Sequence, residues 1–155
     1  MHIIAAKAVA FGEALKPEFK DYAHQIIKNA AALADELNKL GFDLITGGTS
    51  NHLILADVNK SFGVDGKVAA DALDAIGLTV NSNVIPDDKL PYFRPSGIRF
   101  GTPAITTRGL KEVHMVQIAA WMKRAIVDRD DNVKVAKLRK EVMVFVEGFP
   151  LPSDR

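Results

Sequence analysis

Apolar residues recur at three- and four-residue steps over much of this chain and alternate with polar ones only in short runs. Residues 2–14 read as an Ala-rich helix with Ile3, Ile4, Ala8 and Phe11 on one side. No capping residue precedes it, so the chain is expected to be a piece of something longer. Pro17 takes a first helical position with Glu18 beside it. Phe19, Tyr22, Ala23, Ile26, Ala30, Leu33, Leu37 and Leu40 then recur with Lys20, Lys28, Asp35, Glu36 and Lys39 between them. That spacing predicts a long amphipathic helix over 18–40, stopped by Gly41.

The period then changes. Phe42–Thr46 reads as a short strand, the cluster 47–51 as a turn, and His52–Val58 as a strand apolar on both faces. A short helix is expected over 67–75, ended by Gly77, and a third strand over 78–81. Residues 82–95, with Pro86, Pro91 and Pro95, read as a loop too long to be a mere connection. Gly97–Phe100 forms a brief strand that Gly101-Thr102-Pro103 breaks. Helix returns after Arg108-Gly109, with Val113, Val116, Ile118, Ala119, Met122 and Ile126 as its apolar side. A polar break at 128–132 supplies a cap for a last helix over 133–147, and 148–155 is an irregular tail. The expected fold class is α+β, a small sheet covered by helices on one side. Residues 1–40 would link to a larger body and 41–147 would form the small domain.

Composition narrows the function. With 155 residues, 48% hydrophobic and 25% charged, the chain suits one globular unit with a real core. A net charge of +1 gives no field to recruit nucleic acid or an anionic membrane surface. No run approaches the ~18 apolar residues of a membrane span. Lys7 interrupts the apolar N-terminus and no basic region precedes it, so a helix is favoured over a signal peptide. The absence of cysteine excludes disulfides and thiolate metal sites and is compatible with a reducing cytoplasm.

Most motif candidates fail on spacing. Gly63–Lys67 lacks the glycine spacing and the following Ser or Thr of a phosphate loop. Asp128–Asn132 lacks the central Gly and terminal Glu of a calcium loop. His2, His24, His52 and His114 have no metal-ligand spacing. Gly47-Gly48-Thr49-Ser50-Asn51-His52 is either a tight strand connection or a backbone anion nest. Arg99 is the sharpest residue. It sits between Ile98 and Phe100 in an apolar, glycine-flanked stretch, as either a surface arginine or a placed guanidinium. The planar fork of an arginine can clamp a carboxylate through two bonds.

Ser-Gly-Ile-Arg-Phe-Gly-Thr-Pro-Ala-Ile-Thr-Thr-Arg-Gly, residues 96–109, resembles the C-terminal hallmark of the serine hydroxymethyltransferases. The helix 1–10, Phe19-Lys20-x-Tyr22, Asn29-Ala30, Gly47-Gly48-Thr49-x-Asn51-His52-Leu53 and Val80-Asn81-x-Asn83 resemble further family segments. They run in order to about residue 127. The resemblance implies the C-terminal small domain of a fold-type-I pyridoxal-phosphate-dependent transferase of one-carbon metabolism. The implied reaction converts serine and tetrahydrofolate to glycine and 5,10-methylenetetrahydrofolate. It implies pyridoxal 5'-phosphate as cofactor, tetrahydrofolate as cosubstrate, a cytoplasmic homodimer or larger assembly, and a large N-terminal domain as partner.

By the same resemblance, Arg99 binds the substrate α-carboxylate and Asn83 approaches the folate pteridine, whose edge needs a group that donates and accepts together. Pro95 departs from the family, which more often has Thr there, and residues 84–94 match loosely. The Schiff-base lysine, the acid facing the pyridinium nitrogen and the histidine stacked on the ring lie upstream in the family, so the 155 residues alone are expected to be inactive. Two other readings remain open. One is a free-standing amino-acid or folate-binding module without catalysis; the other is an interaction piece whose helix faces pair with another chain.

Overall fold

The computed structural model describes residues 1–151; residues 152–155 of the expected tail lie outside the described residues. Helix α1 (His2–Ala14) is followed by α2 (Pro17–Lys39), then β1 (Asp43–Leu44), β2 (Leu53–Asp57), α3 (Val58–Phe62) and α4 (Gly66–Ala75). Strands β3 (Asn81–Asn83) and β4 (Gly97–Gly101) come next, then α5 (Pro103–Thr107), α6 (Glu112–Val127) and α7 (Asn132–Glu147). The four strands form one antiparallel sheet in the order β1-β2-β4-β3. This is the α+β layer expected from the sequence.

The sheet is one-sided because successive strand residues point to opposite faces. Ile54, Ala56 and Ile98 are buried and join Leu33, Leu37, Leu73, Met115, Met122 and Ile126 in a core beneath helices α2, α4 and α6. The opposite face carries Leu53, Leu55 and Asp57 on β2 and Arg99 on β4. Leu53 is 39% exposed there. The strand expected to be apolar on both faces therefore buries one face and leaves the other open within this chain.

Three expectations are corrected. The third strand is not at 78–81 but at Asn81–Asn83. Leu78 N–H closes the end of α4 on the Leu73 carbonyl, and pairing with β4 begins only at Asn81. The first strand shrinks to Asp43–Leu44, although the Ile45 N–H still reaches the Leu55 carbonyl. Two short helices, α3 and α5, start at Val58, read as the end of a strand, and at Pro103, read as part of a breaker, and run on through residues given no element in the sequence. Asp57 caps α3 by accepting from Lys60 N–H, and Pro103 supplies a first-turn proline for α5.

The two N-terminal helices differ. Helix α2 buries Asn29, Ala30, Leu33, Ala34 and Leu37 along one stripe and ends where Gly41 turns left-handed at φ 90°. Helix α1 buries nothing: Ile4 and Phe11 on one side are 65% and 67% exposed, and Val9 on the opposite side is 63% exposed. A helix apolar on opposite sides is the kind that a larger structure encloses. At the other end, α7 is capped by Asp131 and held by Leu138, Val142 and a two-bond contact from Arg124 to Glu141 at 2.7 and 3.2 Å.

A buried polar seam joins α2 to the segment after β4. Asn29 Nδ2 donates to Thr106 Oγ1 at 2.8 Å and to the Leu110 carbonyl at 2.9 Å, while its Oδ1 accepts from Gln25 Nε2 at 3.0 Å. Thr102 Oγ1 donates to the Ile26 carbonyl at 2.8 Å. Removing one partner from such a seam strands the others without water. Asn29→Ala is therefore expected to lower the unfolding free energy by about 2 kcal/mol in a urea titration, the cost of leaving buried groups unsatisfied. A loss below about 0.5 kcal/mol would mean the seam is replaced by water.

Candidate functional site

Strand β4 lies second from the edge, paired to β2 on one side and β3 on the other. Its alternation sends Ile98 into the core and Arg99 out to the open face. Arg99 stands opposite Leu55 of β2 and Asn81 of β3. Asn83 stands opposite Gly97, so it shares the open face and lies diagonally from Arg99, about 7–8 Å away in ordinary sheet geometry. The two residues singled out in the sequence thus fall on one surface. Asn83 is half-buried and makes only a long contact, 3.3 Å, to the carbonyl of its own neighbour Val84. Among the described residues, no hydrogen bond or ion pair engages the Arg99 guanidinium.

Arg99 is flanked by two shallow depressions. One, about 600 Å³, runs from Arg99 and Leu55 to the loop 46–51. The other, about 430 Å³, includes Thr79, Asn81 and Leu53. The Gly-Gly-Thr loop is therefore a wall of the Arg99 site as well as a strand connection. Its shape is set by side chains: Thr49 Oγ1 donates to the Leu53 carbonyl at 2.7 Å, and Asn51 Oδ1 accepts from Leu53 N–H at 2.7 Å. Asn81, the direct cross-strand neighbour of Arg99, lies in the Val80-Asn81-x-Asn83 segment. Only the register could single it out.

A larger cavity than either lies elsewhere. It is an apolar cleft of about 690 Å³ between the α4–β3 turn, α6 and α7. Arg108 reaches it but donates to the Phe149 carbonyl at 2.6 Å and the Val146 carbonyl at 3.0 Å. A binding site needs a few converging polar groups, and those stand around Arg99 rather than here.

The segment between β3 and β4 is tightly fastened. Asp88 accepts four bonds: from Ser96 Oγ at 2.6 Å, Ser96 N–H at 2.9 Å, Leu90 N–H at 3.0 Å and Ile85 N–H at 3.3 Å. Burial pushes its carboxyl up, but the Ser96 hydroxyl and these amides outweigh that and hold it at about 2. Asp65 caps α4 through Val68 N–H and receives Arg94 Nε at 2.7 Å. Its carboxyl is held low: burial opposes ionisation, while the Val68 amide and Arg94 favour it. Pro95 is buried, and its carbonyl accepts from Gly66 N–H at 2.6 Å. A Cβ on Gly97 would stand 2.5 Å from Ile85 Cγ2 and 2.8 Å from the Asn83 carbonyl oxygen, and one on Gly66 would overlap the Gly97 carbonyl. These two positions admit no side chain.

The length of 82–95 marks it as more than a connection without identifying Asp88 as its hub. A signal was present. Pro86-Asp87-Asp88 is turn chemistry, and Asp87 adopts a left-handed φ of 55° in the turn closed by Asp88 N–H on the Ile85 carbonyl.

The fold and this surface define an α+β domain that presents a guanidinium from the open face of a sheet. Residues 1–122 match the family model described as serine hydroxymethyltransferase, well over half of the 155-residue chain. The chain belongs to the serine hydroxymethyltransferase family, and its architecture fits the C-terminal domain. Family membership makes the complete protein a transferase. The match takes in α1 to β4, Arg99 and Asn83, and ends within α6, so α7 lies beyond it. Among the described residues, no helix is long and apolar enough to cross a membrane.

The Asp88 carboxyl is depressed in the folded chain, so its contribution to stability is complete above the ordinary carboxylate range near 3.8 and is lost as pH falls through about 2. Urea midpoints between pH 5 and pH 2 should fall less steeply in Asp88→Asn than in the parent chain. Parallel curves would mean that the four bonds do not favour the ionised form.

Proposed function

We propose that this chain is the small-domain part of a glycine hydroxymethyltransferase, which interconverts serine plus tetrahydrofolate with glycine plus 5,10-methylenetetrahydrofolate. The observation that carries the reading is the Arg99 guanidinium on the open sheet face, engaged by no hydrogen bond or ion pair among the described residues, beside Asn81 and diagonal to Asn83. Two charge-assisted bonds from one planar fork, roughly 1.5–3 kcal/mol each, fix both the position and the rotation of a carboxylate. That orientation decides which bond at the α-carbon is presented for cleavage. Asn83 supplies a donor and an acceptor for a pterin edge. Residues 1–40 serve as the link to the larger domain, which covers the apolar surface of α1, and 41–147 form the small domain.

Pyridoxal phosphate finds no Schiff-base lysine on the sheet face around Arg99. The open face of β2, β3 and β4 carries no lysine, and the nearby Lys60 amine is turned to Asp43 at 3.0 Å. We therefore assign the cofactor to residues outside this chain and derive no step through it. The parent is proposed to act in the cytoplasm as a homodimer or larger assembly.

Two outcomes follow. In the enzyme assembled from this chain and its large domain, Arg99→Lys should raise the serine KM by about 100-fold and lower kcat, since a point charge loses one of two bonds and the orientation. Near-normal kinetics would remove Arg99 from the substrate site. The 155-residue chain given pyridoxal phosphate, serine and tetrahydrofolate should form no glycine, whereas addition of the large domain should restore turnover. Glycine formation by the chain alone would overturn the division of labour. Calorimetric binding of glycine to the chain alone, with turnover still absent from the mixture, would favour the amino-acid-binding module.

A further inference from the structure

We infer that Asp88 is the positioning residue that holds Asn83 and Arg99 in fixed relation. The inference rests on the reading of those two residues as substrate contacts. They sit on neighbouring strands, yet the chain between β3 and β4 leaves the sheet for thirteen residues, 84–96. A loop of that length carries a large conformational entropy unless something fixes it. Asp88 lies near its middle and reaches both ends. Its Oδ2 accepts from Ile85 N–H, two residues after Asn83, and from Ser96 N–H, three residues before Arg99. Its Oδ1 accepts from the Ser96 hydroxyl and from Leu90 N–H. An ionised carboxylate offers about four acceptor positions, and four donors fill them. No lone pair is left for a ligand, so Asp88 acts through the residues it holds.

The backbone it ties is where slack would matter most. Ile85 packs into the space left by the missing side chain of Gly97, and the Asn83 carbonyl approaches the same glycine. Gly97 is the cross-strand partner of Asn83 and lies two residues before Arg99. If the Ile85 and Ser96 anchors let go, β3 loses its hold at the end where the pairing finishes. Arg94 and the Pro95 carbonyl fasten the same loop to Asp65 and Gly66 at the start of α4. Those bonds fix the loop to a helix but not its two ends to each other.

The test uses Asp88→Asn, which keeps the shape and turns one acceptor into a donor facing donors. In the 155-residue chain, amide exchange followed by NMR should quicken about tenfold at Ile85, Leu90 and Ser96, the loss of a bond to a charged group. It should also quicken at 81–83 and 97–99 while α2 and α6 keep parental rates. In the assembled enzyme, the KM values for serine and tetrahydrofolate should both rise about tenfold and kcat should fall with them, as expected of misplaced contacts. Ser96→Ala, which removes one of the four bonds, should shift both readouts the same way by less and covers the case in which Asp88→Asn does not fold. Unchanged exchange at 81–83 and 97–99, or a uniform rise through α2 and α6, would overturn the inference. So would both KM values staying at parental levels. If Arg99→Lys alone leaves the serine KM untouched, the Arg99 reading fails, and the exchange data still decide whether Asp88 joins the two strand ends.

Discussion

Everything in this chain turns on one residue step in β4. Ile98 must enter the core and Arg99 must leave it, and a pleated strand allows both only if its register is fixed. A slip by one residue would bury a guanidinium at a cost of several kcal/mol and expose the isoleucine. Pairing to β2 on one side and β3 on the other sets that register along the whole strand. Glycines at 97 and 101 let neighbouring backbone and side chains approach where a Cβ would collide. The charged residue sits on a strand because its neighbours are held by the core.

The residues after the strand carry the same constraint into the helices. Thr102 and Thr106 meet Ile26 and Asn29 of α2, and Tyr22 Oη lies 2.7 Å from Thr107 Oγ1. The motif positions around Tyr22, Asn29 and Gly101–Thr107 are far apart in the chain and interlock in space. A helix that leads toward α1 is thus tied by polar bonds to the strand that carries Arg99. Helix α1, with apolar residues on opposite sides and none of them buried, gives a second reason to expect a covering surface over it.

Much of this was legible in the sequence, for a physical reason in each case. Helices α2, α4, α6 and α7 announced themselves by periodicity and caps, because their stability comes from one buried stripe and local end chemistry. Arg99 stood out because a charge inside an apolar strand demands an explanation. Asn83 came from resemblance, and the register then put it on the same face. What escaped was set by distant partners. The β3 register depends on β4, sixteen residues away, and on a helix end that takes Leu78 out of the strand. Asn29 reads as one polar residue in a helix until Thr106 and Leu110 fold against it. Asp88 reads as a turn residue until Ser96 returns to it. Single-sequence patterns record local preference, and these contacts are long-range.

The central claim is that Arg99 holds the amino-acid carboxylate, and a crystal structure of this chain assembled with its large domain and glycine tests it most directly. The account predicts the glycine carboxylate against the open face of β4, paired through both oxygens with the Arg99 guanidinium at the ~2.7–2.9 Å of charge-assisted bonds, with Asn83 bordering the same space. A carboxylate seated on another cation, with Arg99 turned to solvent or to a residue of the large domain, would contradict it.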